Sequence, residues 1–305
     1  MENIDNEINN ILFDKLESIC KDIYSRRIDM NKIYLKKSVD SIVDFSIKNR
    51  LDFYLFSKYA KTFDNSKIKV ISNTIINEYE NYKNKLKNSI NIIKKYYKTE
   101  DFVIVKTFSS FPHKTTDLDV VVKKMENVSE NVFKREDCLS IDISDKIEWG
   151  GIIPIDNNYF WKNLEVYLYD EIEFFIPNKY LDTLIRIGHI PFELAHIKLG
   201  ELLHIFKQGL DINWEILKEQ AKLMGWYKTF NNMLKILDEL HACLFGKYYF
   251  YNEYLTSNKK LHFPYKIPVS LIVNGVIEKR AWKKIWGARY LIKDWIIECI
   301  RRKTY

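Results

Sequence analysis

Glycine is scarce in this chain: nine residues in 305, roughly 3% against a usual ~7%. A phosphate cradle built on a glycine-rich loop is therefore excluded, and Walker and Rossmann readings fall with it. Cysteine is sparse too. Cys20, Cys138, Cys243 and Cys299 lie more than 50 residues apart, with no CxxC pair and no neighbouring histidine at metal spacing, so they read as reduced core thiols. No apolar run approaches 20 residues and mean hydropathy is −0.29, which leaves no candidate spanning helix and no membrane partner. The opening MENIDNEINN is polar and acidic where a secretory signal needs a basic start and an apolar stretch, which points to the cytoplasm. Low-complexity linkers and internal repeats are also missing, and nothing in the sequence specifies an oligomeric state.

What the chain does have is positive charge, unevenly spread. The net charge is +7, and residues 276 to 305 carry nine Lys and Arg against three acids. A second basic stretch, Asn81 to Lys98, holds six lysines and no acid. Two surfaces are thus candidates for meeting phosphates, RNA among them. The plainer reading is solvated lysines on amphipathic helices.

Hydrophobic periodicity divides the chain in three. Ile4, Ile8, Ile11, Leu16, Ile19 and Ile23 mark an amphipathic helix, with helical hairpins expected through Phe63. From Ile71 to Tyr97 apolar residues recur at spacings of three and four, which predicts one long helix with a single buried seam. The period then drops to two. FVIVK (102 to 106), DLDVVVK (117 to 123), LSIDIS (139 to 144), LEVYLY (164 to 169) and EIEFFIP (171 to 177) predict a small sheet. Beyond Pro177 the pattern is helical again: a segment near 179 to 189, Pro191 in the first turn of the next helix, and Gly209, Gly225 and Gly246 at helix ends. Residues 247 to 268 read as an irregular connection before a final helix pair.

The chemistry concentrates between Phe102 and Ser144. Alternation along a strand places Asp117 and Asp119 on one face while Leu118, Val120 and Val122 take the buried side. Two carboxylates that close are unfavourable unless a cation lies between them, and hard oxygen ligands suit Mg²⁺. In LSIDIS the same alternation sets Asp142 opposite Leu139, Ile141 and Ile143, so a strand beside DLDVVV would bring a third acid to the pair. Three such carboxylates can hold two Mg²⁺ ions about 4 Å apart, the arrangement that activates a hydroxyl and neutralises a leaving pyrophosphate. Asp145 and Glu148 compete with Asp142 for the third position.

A strand, a short hydroxyl turn, Asp-x-Asp on a second strand and a later strand acid resemble the nucleotidyltransferase fold of the DNA polymerase beta superfamily. The resemblance covers about 66 to 178. Downstream, FFIPNKYLDTLIRIGHIPFELAHIKLGELLHI (174 to 205) and DINWEILKEQAKLMGW (211 to 226) are similar to the helical half of a poorly characterised prokaryotic nucleotidyltransferase group, whose helix histidine is matched by His189. The resemblance implies an α/β fold, a small mixed-sheet catalytic core (66 to 178) flanked by an N-terminal helical region (1 to 65) and a C-terminal helical domain (179 to 305). It implies Asp117, Asp119 and Asp142 as metal ligands and catalytic residues, with NTP as substrate. Ser109 and Ser110 stand where the family has Gly-Ser to hold the β and γ phosphates. Ser109 carries a Cβ where close backbone approach usually needs none, so Lys106, Thr107 and Lys114 join them as nucleotide-binding candidates.

The expected function is Mg²⁺-dependent transfer of a nucleoside monophosphate from an NTP to an acceptor hydroxyl. RNA or tRNA, including the target of a tRNA-modifying toxin of a toxin–antitoxin pair, and a small molecule are the acceptors considered. The alternative is a catalytically silent module that binds nucleic acid or protein on the same fold. His189, His196 and His204 fall in an apolar region and read as satisfied core or rim histidines, since HIPFELAH is not HExxH. Trp282, Trp286 and Trp295 could stack on bases, though their helical spacing suits a core.

Overall fold

The computed structural model describes residues 2–36, 38–59, 66–126, 135–149, 152–194, 196–250 and 260–278. Three helices open the chain: α1 (Glu2–Tyr24), α2 (Val39–Lys48) and α3 (Asp52–Tyr59). The long helix α4 (Ser66–Tyr96) follows, and its seam is buried at Ile75, Tyr82, Leu86, Ile90 and Ile93. The sheet then forms from β1 (Phe102–Val105), β2 (Asp117–Val122), β3 (Ser140–Ser144), β4 (Leu164–Tyr169) and β5 (Ile172–Pro177), with a short helix α5 (Asn157–Lys162) before β4. Spatial order is β3-β2-β1-β5-β4. The β1–β2 and β4–β5 pairs are antiparallel, while β2–β3 and β1–β5 are parallel, so the sheet is mixed.

Alternation decides what each face meets. Phe102, Ile104, Leu118, Val120, Val122, Ile141 and Phe174 pack with Tyr82, Leu86, Ile90 and Ile93 of α4 in one cluster. Val103, Val105, Val121 and Phe175 of the opposite face join a larger cluster built mostly from helices. Asp117 and Asp119 share the parity of Val121, and so face the helical side.

That side is built by α6 (Lys179–His189), α7 (Leu199–Gly209), α8 (Trp214–Leu223), α9 (Tyr227–Phe245) and α10 (Val269–Glu278). Asn178 caps α6 by accepting the Leu181 N–H at 3.0 Å, a standard first-turn device. Gly225 and Gly246 sit at helix ends with φ of +75° and +74°, conformations that glycine adopts without Cβ strain. Pro191 corrects the sequence reading. It opens no separate helix; α6 runs directly into a π-helical turn at Ile190–Leu194. Proline has no N–H to donate and its ring crowds the carbonyl four residues back, so the ladder widens there. A two-stranded ribbon of β6 (His196–Ile197) and β7 (Tyr265–Lys266) follows from a segment that alternation alone did not flag.

The N-terminal and C-terminal helices meet in one core. Leu12, Leu16, Ile19 and Leu55 share a cluster with Leu184, Leu203, Phe206 and Leu237. At one contact the two regions touch through backbone: Asn49 accepts the Gly200 N–H at 3.1 Å through its carbonyl and the Leu199 N–H at 2.9 Å through Oδ1. A Cβ on Gly200 would lie 2.6 Å from the Asn49 oxygen and 2.9 Å from the Phe111 ring. Gly200→Ala is therefore expected to lower stability by about 1–3 kcal/mol, read as a lower urea midpoint at unchanged slope. No helix among the described residues is long and apolar enough to cross a membrane. The basic segment 279 to 305, with Trp282, Trp286 and Trp295, lies outside the described residues.

Candidate functional site

Parallel pairing of β2 with β3 sets Asp119 directly beside Asp142 and Asp117 beside Ser140. One carboxylate oxygen from each of Asp117, Asp119 and Asp142 falls within 4.8 Å of the others, close enough to hold a metal ion. Thr116 Oγ1 donates to Asp117 at 3.1 Å. Asp117 and Asp119 are half-buried and Asp142 is exposed. Burial, reinforced by the charge of Asp117, holds the Asp119 carboxyl above the usual range despite the opposing pull of Lys106. An oxygen-only donor set with this surplus of negative charge fits a hard divalent cation. Glu148 lines the neighbouring cavity but pairs with Lys146 at 2.9 Å.

Lys106 brings a cation against Asp119. It follows β1 with φ of +60°, a left-handed conformation that costs a non-glycine residue roughly 1–2 kcal/mol. Its Nζ lies 3.0 Å from Asp119 Oδ2, 3.4 Å from His189 Nε2 and 5.7 Å from the centre of the Trp149 ring. His189 in turn contacts Glu193 at 2.7 Å. Cavities of about 200 and 230 Å³ border Lys106. The smaller is lined by Asp119, Asp142, Glu148, Trp149 and Glu193, the larger by Ser109, Ser110, Tyr167, Lys179 and His204.

The other phosphate-binding candidates have partners within the protein. Thr107 is buried and donates to the Val105 carbonyl at 3.3 Å. Ser109 Oγ donates to the Phe111 carbonyl at 2.7 Å and lies 3.0 Å from His113 Nδ1. Ser110, itself exposed, presents both its N–H and its Oγ to His204 Nδ1 at 2.9 Å. Lys114 turns toward α4 and α3, pairing with Glu78 at 2.7 Å and Asp52 at 3.7 Å.

Behind the Lys106–Ser110 turn lies a buried network that the sequence did not reveal. Asp182 Oδ2 accepts from Arg186 at 2.8 Å and Gln208 at 2.9 Å, and lies 2.9 Å from His204 Nε2. Arg186 donates onward to the carbonyls of Phe108 at 2.7 Å and Lys106 at 3.4 Å. The turn is thus clamped from α6 by Arg186 and from α7 by His204. Nδ1 can accept from Ser110 only in the neutral Nε2–H tautomer. Ser110 and His204 are 94 positions apart. The only sequence signal was polar residues at helical spacing in an apolar stretch.

Burial depresses three histidines: His113 to about 3, with Arg50 and Arg186 adding to the effect; His204, with Arg186 adding and Asp182 opposing; and His241 to about 4. The unfolded chain binds protons at these rings near pH 6.5 and the folded chain does not, so stability present above that pH is lost as pH falls. Unfolding by urea at pH 7 and 5.5 should differ by about 3 kcal/mol, from up to about 1.4 kcal/mol per unit for each histidine.

Comparison with known proteins returns nothing to set beside this geometry: no family model, no curated protein and no solved structure matches the chain.

Proposed function

We propose that this protein is a metal-dependent nucleotidyltransferase that moves a nucleoside monophosphate from an NTP to an acceptor hydroxyl. The observation that carries the reading is the meeting of Asp117, Asp119 and Asp142 across two paired strands. Two Mg²⁺ ions held by these acids would supply charge neutralisation at the α-phosphate and lower the pKa of the attacking hydroxyl. The protein's own groups have separate tasks. Asp142, exposed on β3, is the acid nearest an incoming hydroxyl. Lys106 neutralises Asp119 and is the cation placed to contact substrate phosphates. Arg186 and His204 fix the turn that carries Lys106, limiting the entropy lost when it engages a ligand.

The acceptors proposed are an RNA end such as tRNA, including modification by a toxin of a toxin–antitoxin pair, and a small molecule. Of the lysines on α4, Lys83 pairs with Glu80 and Lys87 with Asp170, each at 2.6 Å. Lys94 donates to the Glu173 carbonyl at 3.2 Å; of the other three lysines of that stretch, Lys85 is half-buried and Lys95 and Lys98 are exposed. A second reading, the silent binding module, is favoured by one observation: both donors of Ser110 are already engaged by His204. Incubation with each labelled NTP, Mg²⁺, total RNA and total protein tests the proposal. Transfer of label to one fraction supports it, and the absence of both transfer and metal-dependent NTP binding supports the silent module, which has no use for three convergent acids.

A further inference from the structure

The two acid-bearing strands are entered through segments that α4 holds. Ahead of β2, Thr115 Oγ1 lies 3.1 Å from the Tyr82 hydroxyl, and Lys114 pairs with Glu78 of the same helix at 2.7 Å. Ahead of β3, the Leu139 N–H donates to Ser89 Oγ at 2.9 Å, and Asn88 donates to the Asp137 carbonyl at 3.0 Å. Tyr82 and Ser89 stand about two helical turns apart, so one face of α4 serves both strands. Pairing of β2 with β1 reaches only to Asp119. Asp117, the first residue of β2, therefore has only β3 beside it, and its placement depends on the segment that leads into it.

Lys114 ties that segment to the N-terminal region. Its ammonium lies 3.7 Å from Asp52, the first residue of α3, and the next residue, Phe53, stacks on Tyr79 of α4 with ring centres 3.4 Å apart. Asp52 is buried. Burial raises its carboxyl, and Lys114 is first among the groups that oppose the rise. On the other side of Lys114, Thr116 Oγ1 donates to Asp117 at 3.1 Å.

We propose that Lys114 is a positioning residue for the carboxylate triad, bridging Asp52 and Glu78 so that the segment before β2 holds Asp117 at ligand distance from Asp119 and Asp142. The inference rests on the metal centre of the proposed function. It gives the N-terminal helices, which lie outside the stretch that resembles a nucleotidyltransferase core, a task in building that centre.

Charge makes the test one of sign. Removing a cation near an acidic centre favours a bound metal ion through space, whereas losing a positioning contact disfavours it. Mn²⁺ binding to the full chain is followed by electron paramagnetic resonance, with and without NTP, below the melting temperature of each variant. Lys114→Met should bind Mn²⁺ about tenfold more weakly, as outer-shell partners of metal ligands do when removed. Lys114→Arg keeps the bridge and should recover most of the loss. Tyr82→Phe deletes only the hydroxyl that meets Thr115 and should cost about fivefold, the worth of one ordinary hydrogen bond. Its ring stays in the core, so it decides the matter where Lys114→Met does not fold. Equal or tighter binding by folded Lys114→Met overturns the positioning role, as does unchanged binding by Tyr82→Phe where the lysine variant does not fold. A parent that binds no Mn²⁺, with NTP or without it, overturns the metal centre itself and this inference with it.

Discussion

Asp119→Asn is expected to abolish nucleotide transfer while making the metal-free protein more stable. The isosteric amide removes one ligand charge from the triad. Loss of several kcal/mol of charge stabilisation, at about 1.36 kcal/mol per factor of ten, corresponds to a fall in rate of a thousandfold or more. Stability moves the other way because the folded protein disfavours this charge: burial and Asp117 hold the carboxyl above its usual range even with Lys106 at 3.0 Å. For an acid raised on folding, stability is highest while the group is protonated and declines as pH rises through the interval between the unfolded and folded values. An amide escapes that decline. Lys106 keeps His189 and the Trp149 ring as neighbours. A higher melting temperature in EDTA together with absent transfer meets the expectation, and transfer within a factor of ten of the parent would sink the metal mechanism.

The largest loss of stability is expected at Asp182. Its Oδ2 faces Arg186, His204 and Gln208, and both Asp182 and Arg186 are buried. Asp182→Ala leaves the guanidinium in the core without its counter-charge, at a cost of about 3–5 kcal/mol. In a chain of this size that is a fall of about 10 °C in melting temperature. The Arg186 charge holds the Asp182 carboxyl well below the usual carboxylate range, so this contribution is present above about pH 4 and fades as pH falls further. Replacing both partners, Asp182→Leu with Arg186→Met, should recover part of the stability, since no buried charge is then left alone. It should not recover transfer, because the carbonyls of Lys106 and Phe108 lose the donor that fixes the turn. Recovery of both by the double variant would show that the clamp is structural only.

The parts of this molecule written in the sequence are those governed by a short period. Alternation located all five strands of the sheet and put Asp117, Asp119 and Asp142 on the face opposite Leu118, Val120 and Ile141, because side-chain direction in a strand has a period of two. The spacing of Ile75, Tyr82, Leu86, Ile90 and Ile93 marked α4 for the same kind of reason. What escaped depends on tertiary contact. α5 spans six residues, too few for a helical period to register. Pro191 carries two meanings, a helix start or a widened turn, and the local sequence does not choose between them. The Ser110–His204 and Arg186–Phe108 contacts join positions 94 and 78 apart, and nothing local in a single sequence encodes such distances.

Manganese binding followed by electron paramagnetic resonance tests the central claim most directly, because Mn²⁺ substitutes for Mg²⁺ at oxygen sites and its free signal is lost on binding. The account predicts saturable binding to the parent protein, tightened by NTP, and its loss in Asp119→Asn. Equal binding by parent and variant, or none by the parent with NTP present, would contradict the assignment of Asp117, Asp119 and Asp142 as a metal centre.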